Sequence, residues 1–425
     1  MMLLGTLLTL LTAATAAQDC LFPVCPPYQG ASCEDNSTVP YSSPDSFTII
    51  GPPLQAVHQS VQPPTGLALD NAKNLYLTYP RNTGLTPSQV TIAKSFTDEE
   101  PWPNADIQNC TAGQDPSTCF INVQNVVLDS QNVMWAIDSG INYTNPNMAI
   151  PGGAKIMAFN LSTNASLIRT YTIPTALLAN GTNANDVRIN NTLGTGGFAF
   201  LTDESKGGGI LACNLTDGTW TKRLYNTSVV MADPGYVGSY DGQPVYSWNG
   251  TTKSFINTGS DGIALQSGNV YWGVLASRRF YYVPQSVMAD FSLSDQEVLN
   301  AVVFPGQLGS EQAGLTADDK GRLYITGSEQ NAIYYVDTLQ QYVNETVNGT
   351  PPGGSGLVEP DNYVVKTLVR SGLIQHADSA AILDGCLYFC TNQLEYSPSR
   401  QYNNTDKRKG PFGSYRLYIG AGPAV

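Results

Sequence analysis

The sequence predicts an all-β fold, a six-bladed β-propeller in which the two ends of the chain complete one shared blade. Three observations predict it. A short apolar strand recurs six times, a second strand rich in aromatic residues follows each copy after a turn, and no segment shows sustained helical periodicity. With 40 Gly, 27 Pro and 23 Tyr in 425 residues, the composition is that of a β-chain with many turns.

The first repeated strand begins with a small or polar pair, continues through an apolar run and ends at Asp, Asn or Gln. Its six copies are Thr65–Asp70, Gln124–Asp129, Asn185–Asn190, Asp261–Gln266, Ala313–Asp318 and Ser379–Asp384. Successive copies start about 50 to 75 residues apart, which is enough for one four-stranded antiparallel blade with its loops. Six copies therefore predict six blades.

The second repeated strand is apolar and aromatic. Its copies are Leu75–Tyr79, Val133–Ile137, Phe198–Leu201, Val270–Val274, Arg322–Thr326 and Cys386–Phe389. The connecting segments, such as 70–74 and 319–322, carry the Asn, Asp and Gly that tight hairpins require. Each pair of copies is thus predicted to be the inner hairpin of a blade.

The two ends of the chain carry strand-like segments that lack an inner-strand partner of their own. Phe47–Val57 precedes the first inner strand and Ser414–Ile419 ends the chain, so we expect them to complete one shared blade and leave no open sheet edge. Gln340–Glu359 contains Pro, Gly and two glycosylation signals and is predicted to be a long exposed loop. Two separate β-sandwich domains are the alternative, but no linker divides the six copies.

The N-terminus has the features of a secretory signal. An apolar run of about 10 residues, too short to span a bilayer, gives way to small residues at 13–17. The sequence therefore predicts a signal peptide at 1–17, a cysteine-containing segment at 18–46, a propeller at 47–425, and a secreted protein.

Glycosylation signals agree with export. The Asn-x-Ser/Thr pattern occurs at 13 positions, each of which we expect to lie at the surface. They are Asn36, Asn109, Asn142, Asn160, Asn164, Asn180, Asn190, Asn214, Asn226, Asn249, Asn344, Asn348 and Asn403.

The eight cysteines are an even set, which in an exported chain favours disulfides. Cys110 and Cys119 sit in one short polar loop and are expected to pair. Cys386 and Cys390 lie four residues apart in a strand, about 13 Å, whereas a disulfide tolerates at most about 7 Å between Cα atoms. Those two need other partners, and the candidates left open are Cys20, Cys25, Cys33 and Cys213.

The net charge is −13 with no block of like charges. An acidic surface of this kind repels phosphate backbones and anionic lipid, which argues against nucleic-acid or membrane partners. A small-molecule ligand is the expected partner, and the oligomeric state is left open.

The repeats resemble the major royal jelly protein and Yellow family, in its fungal form. The resemblance rests on motifs that occur in the family's order between about residues 60 and 340. They are Pro64–Leu69 with Leu75–Arg81, Val123–Asp129 with Met134–Gly140, Asn185–Ile189, Phe200–Asp203 and Asp261–Leu265.

The resemblance implies a secreted six-bladed propeller with a small-molecule pocket at one mouth of its central channel. Some members of the family resemble amine binders and others resemble isomerases of cyclised catechol amines, so the fold does not name the reaction. Certain fungal secreted propellers are similar to hetero-Diels-Alderases. The N-terminal cysteine cluster and the late Pro/Gly loop depart from the insect pattern, so insect substrates do not carry over.

The inner strands of a propeller surround its axis, so their first residues should converge on one opening above an apolar floor. The residues expected to bind substrate there are Thr65, Gln124, Asn125, Asn185, Gln312, Asp378 and Ser379, with Asp186 and Asp261 as catalytic candidates. The alternative is that these groups only cap the channel.

Histidine is scarce, with only His58 and His376 in the chain. A catalytic triad or a multi-histidine metal site would need one of the two. His376 should lie near the mouth and is the best candidate for proton transfer, against the alternative of a structural role, whereas His58 is expected to be structural.

A calcium-dependent lactonase of the gluconolactonase type is a rival six-bladed propeller. Its calcium site would require a carboxylate ligand at the start of the first inner strand, where this chain has Thr65 and Gly66. No metal cofactor is therefore expected, although Asn125, Asn185, Asp186 and Asp261 could hold a structural calcium ion. No phosphate-binding loop, GxSxG elbow or HExxH helix is present, so any catalysis should be free of cofactors.

The leading hypothesis is an enzyme of secondary metabolism that binds a flat oxygenated metabolite and promotes an isomerisation or cycloaddition. The alternatives are a non-catalytic carrier of amines or phenols, a metal-dependent lactonase-like hydrolase, and an extracellular structural or adhesion protein.

Overall fold

The computed structural model describes residues 49–81, 88–142, 145–178, 181–339 and 356–424. The predicted signal peptide at 1–17, the segment at 18–46 with Cys20, Cys25 and Cys33, and most of the loop predicted at 340–359 lie outside these ranges.

Six four-stranded antiparallel sheets form the fold, and their innermost strands are neighbours in a closed ring. From the axis outward, blade 1 contains β2 (Gly66–Leu69), β3 (Leu75–Thr78), β4 (Val90–Ala93) and β5 (Glu99–Pro101). Blade 2 contains β6 (Val123–Leu128), β7 (Val133–Asp138), β10 (Lys155–Asn160) and β11 (Ser166–Thr172). Blade 3 contains β12 (Ala184–Asn190), β13 (Phe198–Asp203), β14 (Ile210–Asn214) and β15 (Trp220–Arg223).

The second half of the ring repeats this order. Blade 4 contains β20 (Ser260–Gln266), β21 (Asn269–Val274), β22 (Arg279–Pro284) and β23 (Val303–Gln307). Blade 5 contains β24 (Leu315–Ala317), β25 (Arg322–Gly327), β26 (Ala332–Asp337) and β27 (Lys366–Arg370). Blade 6 contains β28 (Ala377–Leu383), β29 (Cys386–Thr391), β30 (Phe412–Tyr418) and, outermost, β1 (Gln55–Ser60).

Three short ribbons and a few short helices lie outside the blades. The ribbons are β8 (Ile141–Asn142) with β9 (Asn145–Ala149), β16 (Ser239–Tyr240) with β17 (Gln243–Pro244), and β18 (Ser247–Trp248) with β19 (Lys253–Ser254). The α-helices are Gln285–Ala289 and Asp295–Asn300, and the 3-10 turns are Leu161–Thr163, Thr175–Leu177, Ser328–Gln330, Pro360–Asn362, Leu394–Tyr396, Pro398–Arg400 and Tyr402–Asn404. No helix among the described residues is both long enough and apolar enough to cross a membrane.

The predicted propeller is confirmed. Each of the six repeated segments forms the innermost strand of a blade, and each aromatic segment forms the strand beside it. The predicted shared blade is also present, because β1 pairs antiparallel with β30. Phe47 and Thr48 lie outside the described residues; from residue 49 on, the N-terminal strand begins at Gln55, and the β30 strand spans Phe412–Tyr418 instead of Ser414–Ile419. Two β-sandwiches are excluded by the closed ring.

The apolar core is divided into six clusters, one between each pair of adjacent blades. Strand β7 shows how the sequence produces this division. Val133, Trp135 and Ile137 pack against blade 3, whereas Met134 and Ala136 pack against blade 1. Because successive side chains point to opposite faces of a sheet, a central strand that is buried on both faces is apolar throughout.

The Asp residues that end the inner strands organise the hairpin turns. Asp70 accepts hydrogen bonds from the backbone N–H groups of Ala72 and Asn74 and from the hydroxyl of Tyr76. Asp318 does the same in blade 5, with Tyr324 as its aromatic partner. Asx-type turns of this kind, which Asp129 and Asn190 also form, explain why four of the inner strands end at Asp or Asn.

The disulfide predicted between Cys110 and Cys119 is present, with a Cα–Cα distance of 5.1 Å. Cys213, Cys386 and Cys390 are free among the described residues, so they do not pair with one another. Cys213 and Cys390 are buried between blades, where a thiol packs as a small apolar group.

The described glycosylation signals differ in how their asparagines are used. Asn164, Asn226, Asn249 and Asn403 are exposed, whereas Asn109, Asn142, Asn160, Asn190 and Asn214 are partly buried. Asn36, Asn180, Asn344 and Asn348 lie outside the described residues. The amide nitrogen of Asn190 donates to Oε1 of the buried Gln285 at 2.6 Å, and its oxygen accepts from Thr192 and Leu193.

We therefore expect Asn190 to carry no glycan when the chain is made in a secretory host, because a glycan would replace a hydrogen of the nitrogen that bonds to Gln285. Mass spectrometry of glycopeptides measures this, with the exposed Asn226 and Asn249 as occupied controls. Full occupancy of Asn190 in folded protein would contradict the expectation.

Candidate functional site

The inner strands of four blades carry a register shift at their first residues. The shifts lie between Val123 and Asn125, between Ala184 and Val187, between Ser260 and Ile263, and between Ala377 and Ala380. A β-bulge places two consecutive residues of one strand opposite a single partner and re-aims their side chains. The bulges explain how neighbours in sequence, such as Asn185 and Asp186, both reach the channel.

These strand starts surround a small cavity at one mouth of the channel. Its lining consists of Thr65, Gln124, Asn125, Asn185, Asp186, Asp261, Ala313, Asp378 and Ser379. Eight of the ten residues predicted for the site are therefore brought together. The cavity has a volume of about 10 Å³, room for about one water molecule, whereas sites for drug-sized ligands span about 300–1,000 Å³. A metabolite could enter only if the mouth opened.

Polar groups at the mouth ends of the second strands hold the inner strands in place. Asp138 accepts hydrogen bonds from the backbone N–H groups of Ile121 and Asn122, each at 2.8 Å, and pairs with the fully buried Lys155 at 2.7 Å. Asp203 repeats this arrangement by accepting from the N–H of Asn183 and pairing with Lys222 at 2.5 Å. The backbone around the mouth is thus fixed by buried, satisfied charges.

Four carboxylates at the mouth each accept a hydrogen bond from an asparagine amide. Asn125 donates to Asp186 at 2.6 Å and Asn392 donates to Asp378 at 2.7 Å. Asn185 donates to Asp261, and Asn183 donates to Glu204. An amide orients a carboxylate but supplies no charge, so the negative charges of the cluster are not neutralised by these bonds.

Burial, together with neighbouring negative charges, raises the pKa of three of these groups. Burial, together with the nearby charges of Asp378 and Asp203, raises the pKa of Glu204 to about 8. Burial and the charge of Asp186 raise the pKa of Asp378 to about 7, against the opposing effect of His376. Burial and the charges of Glu204 and Asp378 hold the pKa of Asp261 well above its usual range. Glu204 and Asp378 are partly exposed, so both can exchange protons with solvent.

The floor of the cavity is not apolar, contrary to the prediction. Arg188 lies two residues beyond Asp186 on β12 and pairs with it at 2.8 Å. The same guanidinium donates to the backbone carbonyl of Leu315 on β24, at 2.6 Å. Because β12 and β24 belong to blades 3 and 5, this side chain crosses the channel below the mouth. In the sequence, Arg188 stands between the apolar residues Val187 and Ile189 of the repeated strand, so the local pattern does not indicate its reach across the channel.

His376 and Gln312 do not line the cavity, in contrast to their predicted places. His376 is fully buried, and its Nδ1 pairs with Glu395 at 3.0 Å. Burial lowers the pKa of His376, but the Glu395 carboxylate outweighs this effect and raises it. Gln312 turns between blades 4 and 5, where its amide fills the space beside Gly273 and donates to the carbonyl of Arg279.

His58 has the structural role that was predicted for it. Its imidazole is buried and bonds to Glu99 at 2.8 Å and to the carbonyl of Ser95 at 3.0 Å. Both contacts link the closing blade to blade 1.

Sequence reasoning missed Asn183, Glu204, Asn392 and Arg188. Asn183, Glu204 and Asn392 precede or follow strands, outside the six-fold alignment, and reach the mouth through loops. The only signal was chemical: polar residues directly beside strand ends, as in Asp203–Glu204 and Thr391–Asn392.

The model of the major royal jelly protein family matches residues 121–362. The chain belongs to this family. No curated protein matches the chain significantly. The fungal assignment and the likeness to hetero-Diels-Alderases stay predictions.

Solved structures similar to this royal jelly family member are distant. A luciferin-regenerating enzyme has 12% identity and a TM-score of 0.46, covering 88% of this chain and 98% of its own. A putative gluconolactonase has 9% identity and a TM-score of 0.48, covering 90% and 98%. Virginiamycin B lyase from Staphylococcus aureus has 11% identity and a TM-score of 0.43, covering 86% and 99%. Similarity at this level transfers no activity.

The residues considered for a calcium ion form a hydrogen-bonded cluster. Asn125 and Asn185 direct their N–H groups at Asp186 and Asp261, so it is amide nitrogen and not amide oxygen that faces these carboxylates. Within the described ranges, no group of three or more His, Cys, Asp or Glu is arranged to hold a metal ion. A structural calcium ion stays a prediction.

The raised pKa values predict an unusual pH dependence of stability for this family member. Glu204 and Asp378 stabilise the fold fully below about pH 4, where the unfolded chain also holds their protons, and this stabilisation is lost as the pH rises through about 7 to 8. We expect Asp378→Asn and Glu204→Gln to raise the Tm by about 2 °C or more at pH ~8.5 and to change it little at pH ~4.5.

Thermal unfolding measures this effect. Asp384→Asn is the matched control, since Asp384 is an exposed carboxylate at the far end of the same inner strand and pairs only with Lys73 at the surface. A lower Tm for both mouth variants at pH ~8.5 would show that the carboxylates stabilise the fold when ionised, and would contradict the raised pKa values.

Proposed function

We propose that the channel mouth binds a small oxygenated metabolite and isomerises it by proton transfer, without a cofactor. The observation that carries the proposal is the group of three carboxyls whose pKa values are raised, two of them to about 7 and 8. Acids and bases work best when their pKa lies near the working pH, and carboxylates reach that range only in an environment that disfavours their charge.

The three groups fit three different tasks. Asp378 has the lower of the two pKa values and is the best base, able to remove a proton from a carbon next to a carbonyl. Glu204 keeps its proton at a higher pH and can deliver it to a second position of the substrate. Burial and the neighbouring carboxylates raise the pKa of Asp261 well above its usual range, which favours the neutral form that can donate a hydrogen bond to an oxygen on which negative charge develops.

The proton balance closes without any other reactant. Asp378 gains one proton from the substrate and Glu204 gives one to it, so the product is an isomer of the substrate. Both groups then return to their starting states by exchanging a proton with solvent, to which both are partly exposed. A cycloaddition would need only alignment and hydrogen bonding, and so would not use a base at all.

The charge excess at the mouth also supports a second candidate, a carrier of amines. Among the described residues, Arg188 is paired with Asp186 and Arg400 with Glu311, so neither offsets the charge of Glu204, Asp261 or Asp378 by a direct ion pair. An ammonium group at the mouth would favour their ionised forms. The carrier would bind such a ligand and leave it chemically unchanged.

Wash-in of solvent deuterium tests the isomerase without knowledge of the natural substrate. The chain is incubated in heavy water with a panel of phenolic and indolic ketones, and each compound is analysed by mass spectrometry and for isomer formation. We expect at least one ketone to gain deuterium, and Asp378→Asn and Asp261→Asn to lower that rate about 10-fold or more, equivalent to about 1.4 kcal/mol.

Asp384→Asn is again the control and should exchange at the wild-type rate. Tight binding of phenolic or indolic amines by calorimetry, with no deuterium gained by any compound over hours, would overturn the isomerase and favour the carrier.

We also propose that the protein is secreted and N-glycosylated. The disulfide Cys110–Cys119 supports export, since such bonds persist in oxidising compartments.

A further inference from the structure

A loop of blade 6 lies over the mouth of the channel. Residues 393–409 connect β29 to β30, and because β28 starts at the mouth and runs away from it, antiparallel β29 returns to the mouth and releases the loop there. The two ends of the loop are joined by a reciprocal pair of hydrogen bonds. The N–H of Lys409 donates to Oε1 of Gln393 at 2.8 Å, and Nε2 of Gln393 donates to the carbonyl of Lys409 at 2.8 Å.

The loop has no sheet bonds to the propeller. The backbone-to-backbone hydrogen bonds that residues 394–408 form within the described chain all close inside the loop, through three 3-10 turns and a bond from the N–H of Lys407 to the carbonyl of Tyr396. At the base of the loop, the N–H of Gln393 donates to the carbonyl of Gln375 and the N–H of Leu394 donates to Oδ1 of Asn392, each at 3.0 Å. A compact loop with joined ends and internal bonds can move as one body about this base, mainly at the cost of its side-chain contacts.

Two buried ion pairs make the strongest of those contacts. Glu395 pairs with His376 at the start of blade 6, and Arg400 pairs with Glu311 just before the inner strand of blade 5. All four side chains are at most 3% exposed. Weaker contacts join the loop to the two ribbons that precede blade 4 in the chain, β16 with β17 and β18 with β19. The hydroxyl of Tyr396 donates to Asp241, and the ring of Tyr402 stacks on that of Trp248.

Arg400 connects the loop to the electrostatics of the mouth. Its guanidinium pairs with Glu311, yet its charge also lowers the pKa of Asp378 and Glu204, the groups to which the proposed function gives the base and the acid. The loop therefore contributes part of the electrostatic field at the mouth.

We propose that residues 393–409 are the lid of the channel mouth, latched shut by the His376–Glu395 and Arg400–Glu311 ion pairs, and that substrate enters when both latches release together. The proposal rests on the proposed function for its purpose, since a cavity of about 10 Å³ admits no metabolite unless the mouth opens. The experiment below measures lid opening directly and does not require that the protein be an isomerase.

Latch variants should favour the open lid for a simple reason. With Arg400 replaced by Gln, the closed lid buries Glu311 without a cation, whereas the open lid leaves it in water. Glu395→Gln likewise leaves His376 buried beside a neutral amide. Both changes raise the energy of the closed state more than that of the open state.

The probe of lid opening is a water-soluble carbodiimide with glycine ethyl ester, which converts accessible carboxyls to amides that mass spectrometry locates. In the wild-type chain we expect Asp378 and Glu204 to react much more slowly than the exposed Asp384. Arg400→Gln and Glu395→Gln should each speed the reaction of Asp378 and Glu204 by about 10-fold or more, equivalent to about 1.4 kcal/mol of lost latch interaction, and leave Asp384 unchanged.

Lys407→Gln is the matched control, because it removes a cation from the same loop at an exposed position that no latch uses. It should react like the wild type. Equal labelling of Asp378, Glu204 and Asp384 in the wild type, or unchanged labelling in both folded latch variants, would overturn the lid.

A measurement on the unmodified chain covers the case in which a latch variant does not fold. Hydrogen–deuterium exchange should be faster for a peptide spanning 394–404 than for peptides of β29 and β30, which flank it. Equal protection of loop and strands would contradict a separate lid motion. If the latch variants speed the labelling as expected but no ketone gains deuterium, the lid is supported and the proposed isomerase is contradicted. If a ketone gains deuterium but the latch variants leave the labelling unchanged, only the lid is contradicted.

Discussion

The pairing of β1 with β30 closes the ring, and the geometry of the channel mouth depends on that closure. Each blade buries its apolar faces only against its two neighbours, so six interfaces exist only if the first blade meets the last. Closure brings six inner strands around one narrow axis. The first residues of these strands come from segments up to hundreds of positions apart in the sequence. They therefore lie around one opening, and most of these residues are polar.

This convergence creates an electrostatic conflict. Asp186, Asp261, Asp378 and Glu204 lie close together, yet only Asp186 has a direct cationic partner, Arg188. Elsewhere in the same protein buried acids are neutralised, as Asp138 is by Lys155 and Asp203 by Lys222. Among the described residues, the three other carboxylates at the mouth have no ion pair and accept hydrogen bonds from asparagine amides. Burying them in this way gives up stability, which is typical of functional sites.

The sequence was sufficient for the architecture because the repeat is local. Strands such as Val123–Leu128 and Val133–Asp138 are recognisable from their own apolar residues and from the turn residues between them. Aligning the six copies predicts the ring and the eight lining residues. It could not predict Glu204 or Asn392, which reach the mouth through loops that differ between blades. The reach of Arg188 to Leu315 and of Arg400 to Glu311 depends on contacts between blades, which no local pattern records. His376 lies next to the mouth, at the start of blade 6, but it does not line the cavity, since it turns to Glu395, a partner on a loop that the local pattern does not record.

The most direct test of this account is to count the mouth carboxyls that hold protons at neutral pH. Infrared difference spectra of the full chain between pH ~6 and pH ~9 report protonated carboxyl groups by their C=O stretching band. We expect the wild-type chain to lose this band in that interval, Glu204→Gln and Asp378→Asn each to remove part of the change, and Asp384→Asn to remove none. A wild-type chain with no protonated carboxyl at pH ~6 would contradict the raised pKa values.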